Sequence, residues 1–281
     1  MKKTHNKEFF YKYVTADVAK DILTSLRVKC SSPLLFNDPF DSQIEIKHDA
    51  SSSEEIIRRT TGTICRLMKP LLKDGSIEEA HKAVLNEILP DTEFVKEHDI
   101  SVTRFYQVIN QIVMGFAKAD RVFCVSEEKD NLLMWAQYAD EHRGAVIKLK
   151  CVPEKDTALC VAKPVIYSDR IPQLKIEDLL NSEQQISEYV LNEILLTKSL
   201  DWAYEREWRV ILTENDPTKD FDLRVIFEEE LEAIYLGCRM SHNNKQEIMS
   251  IVRTYRKATS IYESLKDNNN FKLLFKELGD K

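Results

Sequence analysis

Apolar positions change period several times along this chain, and each change marks a predicted element. Phe9-Phe10-Tyr11-Lys12-Tyr13-Val14 is aromatic and β-prone, which predicts a first strand. Thr15 is then placed to N-cap a helix over Ala16 to Leu26, whose Val18, Ile22, Leu23 and Leu26 recur at helical spacing. Val28 to Ser31 returns to strand, and a polar loop runs from Ser32 to Asp41. Three amphipathic segments follow. Ser51-Ser52-Ser53 precedes a helix over Glu54 to Leu72 with Ile57, Ile64, Met68 and Leu71 inward. Ser76-Ile77-Glu78-Glu79 reads as a capping box opening a second helix to about Leu89. Ser101 opens a third, with Phe105, Ile109, Ile112, Val113 and Phe116 on one side. Together they predict a helical insert at about 52–118.

Beyond the insert, Arg121 to Ser126 predicts a strand, and Asp130 or Asn131 caps a helix over Leu132 to Glu141 that Gly144 terminates. Ala145 to Leu149 and Lys163 to Tyr167 read as strands, Ser182 to Leu200 as a helix, and Val210-Ile211-Leu212 as a strand entering a core. Leu223 to Phe227 and Leu231 to Gly237 are further β candidates, followed by a helix over Asn243 to Lys257. Asp267-Asn268-Asn269-Asn270 is a turn before a last apolar segment, Phe271 to Leu278. No repeat, low-complexity linker or shift in composition divides the chain. The expectation is one α+β domain over 1–281 carrying the helical insert.

Composition narrows the function classes. The 281 residues are 43% hydrophobic and 31% charged, which is the balance of a globular protein able to bury a sizeable core. A net charge of -7 argues against a protein devoted to wrapping nucleic acid. No window approaches the roughly 18 uninterrupted apolar residues of a membrane span, and no apolar stretch follows the first basic residues, so a cytoplasmic protein with no membrane partner is expected. The six cysteines form no C-x-x-C pair and the six histidines show no ligand spacing, so buried thiols and no metal are expected. Six glycines in the whole chain make neither G-x-G-x-x-G nor a P-loop, so no phosphate is cradled by glycine-rich backbone.

Candidate chemistry concentrates in three places. The densest is Asp201-Trp202-Ala203-Tyr204-Glu205-Arg206-Glu207-Trp208-Arg209. If extended, this run projects Glu205 and Glu207 from one face at about 7 Å, and Tyr204, Arg206 and Trp208 from the other. Two such carboxylates repel unless a positive or hydroxyl-bearing group separates them. Arg206 and Arg209 neutralise them on the structural reading; on the functional reading they meet a polyol or a cation. The second place is Asn37-Asp38-Pro39-Phe40-Asp41, a turn locked by side-chain bonds, from which Asp38 or Asp41 could orient an arginine or a hydroxyl. The third is the segment from Asn131 to Gly144, where Trp135 reads as helix core while Tyr138 and His142 share a face at i, i+4.

These motifs occur in one order: Tyr11-Lys12-Tyr13, Ser31-Ser32-Pro33 with Phe36 to Asp41, Cys124-Val125-Ser126-Glu127 with Leu133 to Ala139, His142-Arg143-Gly144, and Trp202 to Arg209. The order resembles a large bacterial family known only as a domain of unknown function, over about residues 9 to 240, often a stand-alone cytoplasmic protein. It also looks like that of the ADP-ribosyltransferase superfamily, which implies two small packed β-sheets forming a cleft that binds NAD without a glycine-rich loop. Glu205-Arg206-Glu207 is similar to the E-x-E of arginine-modifying members. The resemblance implies that Glu207 bonds the nicotinamide ribose and steadies an oxocarbenium-like transition state, and that Glu205 positions or deprotonates the acceptor. It further implies nicotinamide stacking by Tyr11, Tyr13 or Tyr138, with Ser126 in the middle motif. Asn37, Asp38, Asp41, Trp135, His142 and Arg209 would support the site. Lys12 stands where such enzymes carry Arg or His and cannot form the bidentate fork, so Arg27 is the substitute from the next strand. The acceptor (protein or nucleic acid) and the oligomeric state stay open, and a toxin or phage-defence effector is the expected setting. Two other classes compete: a metal-dependent nuclease gathering Mg²⁺ on Asp38, Asp41, Glu205 and Glu207, and a non-catalytic sensor or interaction module whose aromatic motifs build the core.

Overall fold

The computed structural model describes residues 3–43, 45–47, 62, 79, 82, 120–175, 193–213, 218–256 and 258–279. The expected insert at 52–118 therefore falls outside the described residues, except for the helical positions Gly62, Glu79 and Lys82. So does the first part of the expected helix over Ser182 to Leu200.

Strand β1 (Phe9–Val14) leads into α1 (Ala16–Ser25), where the Thr15 side chain accepts the Val18 N–H as the N-cap. Leu26, left-handed at φ 54°, ends that helix and turns the chain into β2 (Arg27–Ser31). Ala19, Ile22 and Leu23 are the buried face of α1, and Val18, expected inside, is exposed. Then come β3 (Glu45–Lys47), β4 (Asp120–Ser126), α2 (Leu132–Gln137), β5 (Ala145–Lys150), β6 (Lys163–Pro164), β7 (Ile166–Ser168), β8 (Gln173–Lys175) and β9 (Thr197–Ser199). A 3-10 turn over Leu200–Glu205 precedes β10 (Glu207–Thr213). The chain closes with β11 (Phe221–Val225), β12 (Leu231–Leu236), α3 (His242–Tyr255), β13 (Ser260–Lys266) and β14 (Leu273–Glu277).

The fold is α+β, with a ten-stranded sheet in place of two small packed ones. Its order is β11-β2-β4-β1-β5-β12-β13-β14, with β10 also on β4 and β6 on β10. Two two-stranded sheets, β3–β8 and β7–β9, stand apart. β1 runs along all of β5 but meets β4 at one bridge, Tyr11 opposite Ser126. Among the described residues, the strands β1, β5, β12, β13 and β14 are joined to β4, β10, β6, β2 and β11 through that bridge alone, so the sheet is pinched there. The parallel pair β12–β13 is connected by α3, as a parallel crossover requires.

Period-2 alternation sorts side chains between two cores on the two faces of the sheet. Phe10, Val14, Ala145, Ile147, Leu149, Ile234 and Leu236 join the larger core, which α1 and α3 cover with Leu23, Ile248 and Val252. Tyr13, Val146, Ala233 and Tyr235 face the other way and pack with Met134 and the fully buried Trp135. The indole N–H of Trp135 donates to the Lys129 carbonyl (2.7 Å), which satisfies its one polar atom.

Helix α2 is shorter than expected. It stops at Gln137, with Asn131 rather than Asp130 as its cap, and Asp140, Glu141 and His142 follow at positive φ. Gly144 is therefore not a helix terminator. A Cβ there would lie 2.2 Å from the Val14 carbonyl oxygen, and one on Gly237 2.1 Å from that of His142. The two glycines allow backbones to touch, and the Gly237 N–H donates to the Gly144 carbonyl (2.9 Å).

Candidate functional site

Backbone geometry differs from the extended run expected over 201–209. Leu200–Glu205 coils as a 3-10 turn, with the Ser199 side chain accepting the Asp201 N–H at its start, and Arg206 at φ 44° ends it. Only Glu207 lies in the strand, so alternation does not place Glu205 beside it. Hydrogen bonds from neighbouring elements hold both glutamates instead. The Ser126 hydroxyl donates to the Glu205 carbonyl (2.6 Å), the Asn131 amide to the Tyr204 carbonyl (2.8 Å), and the Glu207 N–H to the Tyr167 hydroxyl (2.8 Å).

The two carboxylates converge on one ammonium group. Lys198 Nζ, from β9, lies 2.5 Å from Glu205 Oε2 and 3.1 Å from Glu207 Oε2. Arg209 shares the inward face of β10 with Glu207 and donates Nε to Glu207 Oε1 (2.9 Å). Its two terminal nitrogens grip Asp41 as a fork, at 2.9 and 2.5 Å, and one also donates to the Leu195 carbonyl (2.7 Å). The Arg209 guanidinium lies 5.0 Å from the centre of the Phe36 ring, and Lys198 Nζ 4.8 Å from that of Trp202. The Tyr138 hydroxyl donates to Glu205 Oε1 (2.6 Å) and accepts from the Asn37 amide (3.2 Å). Asp41, Lys198, Glu205, Glu207 and Arg209 are all buried. Three acids therefore face two bases.

Environment drives the two glutamates apart. Burial works against the Glu207 carboxylate, but Arg209 and then Lys198 overcome it and lower its pKa well below the ordinary value. Burial dominates at Glu205 and raises its pKa, although Lys198 pulls the other way. Lys198 stays protonated, because Glu207 and Glu205 outweigh its burial. Burial and then the charge of Glu205 raise the Tyr138 phenol, so its proton stays on oxygen.

This group forms one wall of a cleft of about 460 Å³ at the pinch in the sheet. The same cleft is lined by Tyr11, Lys12 and Tyr13 of β1, Lys29 and Ser31 of β2, Ser126, Asn37, Gln137 and Tyr138. Lys12 donates to the Cys124 carbonyl (2.8 Å), and the Tyr13 hydroxyl to the Glu128 carbonyl (2.9 Å).

The structure thus brings together Tyr11, Lys12, Tyr13, Asn37, Asp41, Ser126, Tyr138, Glu205, Glu207 and Arg209 from four separate stretches of chain. Four other candidates lie elsewhere. Arg27 is exposed at the start of β2, opposite Val225, and does not line the cleft. Asp38 does not line the cleft: its Oδ1 accepts the Phe40 N–H of its own turn (2.9 Å), and its Oδ2 is buried with no hydrogen-bond partner among the described residues. Trp135 is core. His142 is not one helical turn from Tyr138, because α2 has already ended; its ring stacks on Trp135, and burial followed by Arg239 lowers its pKa. Arg206 does not neutralise the glutamates either, since it pairs with Glu128 at the surface (2.8 Å).

Sequence reasoning missed Lys198, Tyr167 and Lys29. The apolar pattern puts Lys198 inside a helix reaching Leu200, whereas Thr197–Ser199 is a strand paired with β7. The triplet Thr197-Lys198-Ser199, poor in helix formers and following Ile194-Leu195-Leu196, was the available signal.

The molecule is thus an α+β protein with a charged cleft at the division of its main sheet. A family model described as a protein of unknown function (DUF2971) matches residues 134–210. That stretch runs from α2 into β10 and holds Tyr138, Lys198, Glu205, Glu207 and Arg209, while Asn37, Asp41, Ser126 and the β1 residues lie outside it. No curated protein and no solved structure matches the chain.

Proposed function

We propose that the cleft binds NAD as a substrate and that the protein is an ADP-ribosyltransferase-like enzyme cleaving the nicotinamide glycosidic bond. The observation that carries this reading is the divergence of the two glutamates. Glycosidic cleavage needs one carboxylate that is always ionised beside the developing oxocarbenium and a second that can exchange a proton. Glu207, clamped by Arg209 and Lys198, suits the first task. Glu205, with its raised pKa and its hydrogen bond from Tyr138, suits the second. Lys12 and Lys29 supply positive charge for phosphate, and Tyr11, Tyr13 and Tyr138 offer rings to a base, which suits a dinucleotide in a chain lacking glycine-rich loops.

The nuclease reading has less support. Lys198 and Arg209 occupy the carboxylate oxygens that Mg²⁺ would need, and Asp38 does not line the cleft. A nicotinamide-release assay with NAD, run with and without EDTA, tests the proposal. Glu207→Gln is expected to fold with a lowered thermal transition, because it removes a buried partner of Arg209 and Lys198, and to lose roughly 100- to 1,000-fold in rate, the effect of removing one electrostatic stabiliser. EDTA is expected to change nothing. Absence of both an NAD-induced thermal shift and any nicotinamide release from the wild-type protein would overturn the proposal.

A further inference from the structure

Away from the cleft, β11 lies at one end of the main sheet, and β2 is its only partner strand among the described residues. The ends of that antiparallel ladder reveal which way its backbone groups point. The Ser32 N–H donates to the Asp220 carbonyl (2.9 Å) and the Ile226 N–H to the Leu26 carbonyl (2.8 Å). Hydrogen-bonded pairs alternate along such a ladder, so Asp222 and Arg224 turn their N–H and C=O groups towards β2. Phe221, Leu223 and Val225 turn theirs outward. These three residues are also 44%, 53% and 67% exposed. An edge that is apolar, exposed and without a second partner strand among the described residues invites pairing with another strand.

The sequence of the edge specifies which strand. Phe221-Asp222-Leu223-Arg224-Val225 is complementary to its own reverse. A two-fold axis through Leu223 sets each Asp222 opposite an Arg224 of the second copy, and each Phe221 opposite a Val225. Leu223 meets itself. The outward parity makes the Leu223 pair hydrogen-bonded and the two Asp222–Arg224 pairs non-hydrogen-bonded, the positions at which side chains approach most closely. We propose that β11 is the seat of a symmetric dimer, in which two copies of this chain join edge to edge in antiparallel register about Leu223. The occupant is a second copy because the charge pattern is satisfied twice by the same five residues, as an isologous interface requires. The inference is independent of what the cleft binds.

Sedimentation from about 1 to about 100 µM, with engineered disulfides, tests it; a five-residue edge buries less than a standard interface, so a micromolar dimer is expected. Asp222 is left unaltered because its carboxylate also lies 3.3 Å from the buried Arg121. Arg224→Asp sets acid against acid twice and is expected to weaken the dimer about tenfold or more, while Arg224→Lys retains it. Under mild oxidation Leu223→Cys is expected to cross-link to itself, since the paired Cα atoms would stand about 5.5 Å apart. Val225→Cys, opposite Phe221, is expected to cross-link at least about tenfold more slowly, and the wild-type chain gives the background of its native thiols. A monomer at every concentration, or a dimer that survives Arg224→Asp, overturns the proposal. So does a Leu223→Cys rate no higher than that of Val225→Cys, and that comparison decides alone if the Arg224→Asp variant does not fold.

Discussion

Replacing Lys198 by methionine isolates the energetics of the site. The side chain is only 5% exposed, and its ammonium lies 2.5 Å from Glu205 and 3.1 Å from Glu207. Methionine keeps the length and apolar contacts of the stem but leaves Glu205 with no cation and Glu207 with Arg209 alone. Removing one member of a buried ionic group costs about 3–5 kcal/mol, because the remaining charge stays desolvated. For a chain of this size the loss corresponds to a fall in Tm of roughly 6–20 °C. Glu205 can escape the penalty by taking a proton. Its pKa is already raised by burial, and loss of Lys198 raises it further. The gap between variant and wild type is therefore expected to narrow as pH falls from 8 to 5. Adding Glu205→Gln to Lys198→Met removes the stranded charge and is expected to recover most of the loss, a coupling that a double-mutant cycle measures. Urea unfolding followed by circular dichroism at each pH is the assay. A Lys198→Met variant within about 1 kcal/mol of wild type, with no narrowing at low pH, would refute the account, because that is the value of a solvated surface pair.

Gly144→Ala is expected to cost several kcal/mol or to prevent folding, since its Cβ would stand 2.2 Å from the Val14 carbonyl oxygen; soluble yield and thermal unfolding decide it. At Asp120, burial pushes the carboxyl up to about 7 despite the neighbouring Arg121. A carboxyl pKa above its unfolded value means that the folded state holds the proton more tightly, so this group's contribution is lost as pH rises from about 4 to 7. Asp120→Asn is expected to flatten that part of the stability profile, and an unchanged slope would count against it.

Much of the central sheet was legible because its strands are bounded by sharp changes of period. Phe9 to Val14 matches β1 residue for residue, and the Thr15 cap follows from a hydroxyl beside a helical repeat. Strands whose partners are distant were harder to read. Ser260–Lys266 buries only Ile261 and Ser264 and pairs in parallel with β12 through a helical crossover, so its local pattern is faint. The acids and tyrosines of the site could be nominated as concentrations of polar and aromatic residues, but the lysine that joins them could not. Lys198 is brought to Glu205 and Glu207 by the pairing of two three-residue strands, β7 and β9, and no spacing in the chain announces that contact. Conversely, the reading of Tyr138 and His142 as neighbours assumed that α2 continued to Glu141, and three consecutive residues at positive φ end that relation.

Stability alone is a poor account of so many buried charges at one place. Apolar side chains of similar volume generally stabilise a core as well as buried ions or better, because ions must first be stripped of water. The fold has such a core on each face of its sheet, built from Phe10, Leu23 and Ile147 on one side and Trp135 and Tyr235 on the other. The charges lie instead at the pinch, along the wall of a cleft, where three carboxylates face two cations and one negative charge is left uncompensated within the group. The Ser126 and Asn131 side chains and the Tyr167 hydroxyl fix the backbone of Tyr204, Glu205 and Glu207. Polar groups held this rigidly need little reorganisation when positive charge develops in front of them, which is the condition for electrostatic stabilisation of a cationic transition state. The large apolar core stabilises the fold as a whole, so the cleft wall can retain a charge distribution that is unfavourable by itself. The Lys198→Met and Glu207→Gln variants weigh those two roles: both are expected to lower stability, and the second is expected to lose far more in rate than its loss of stability explains.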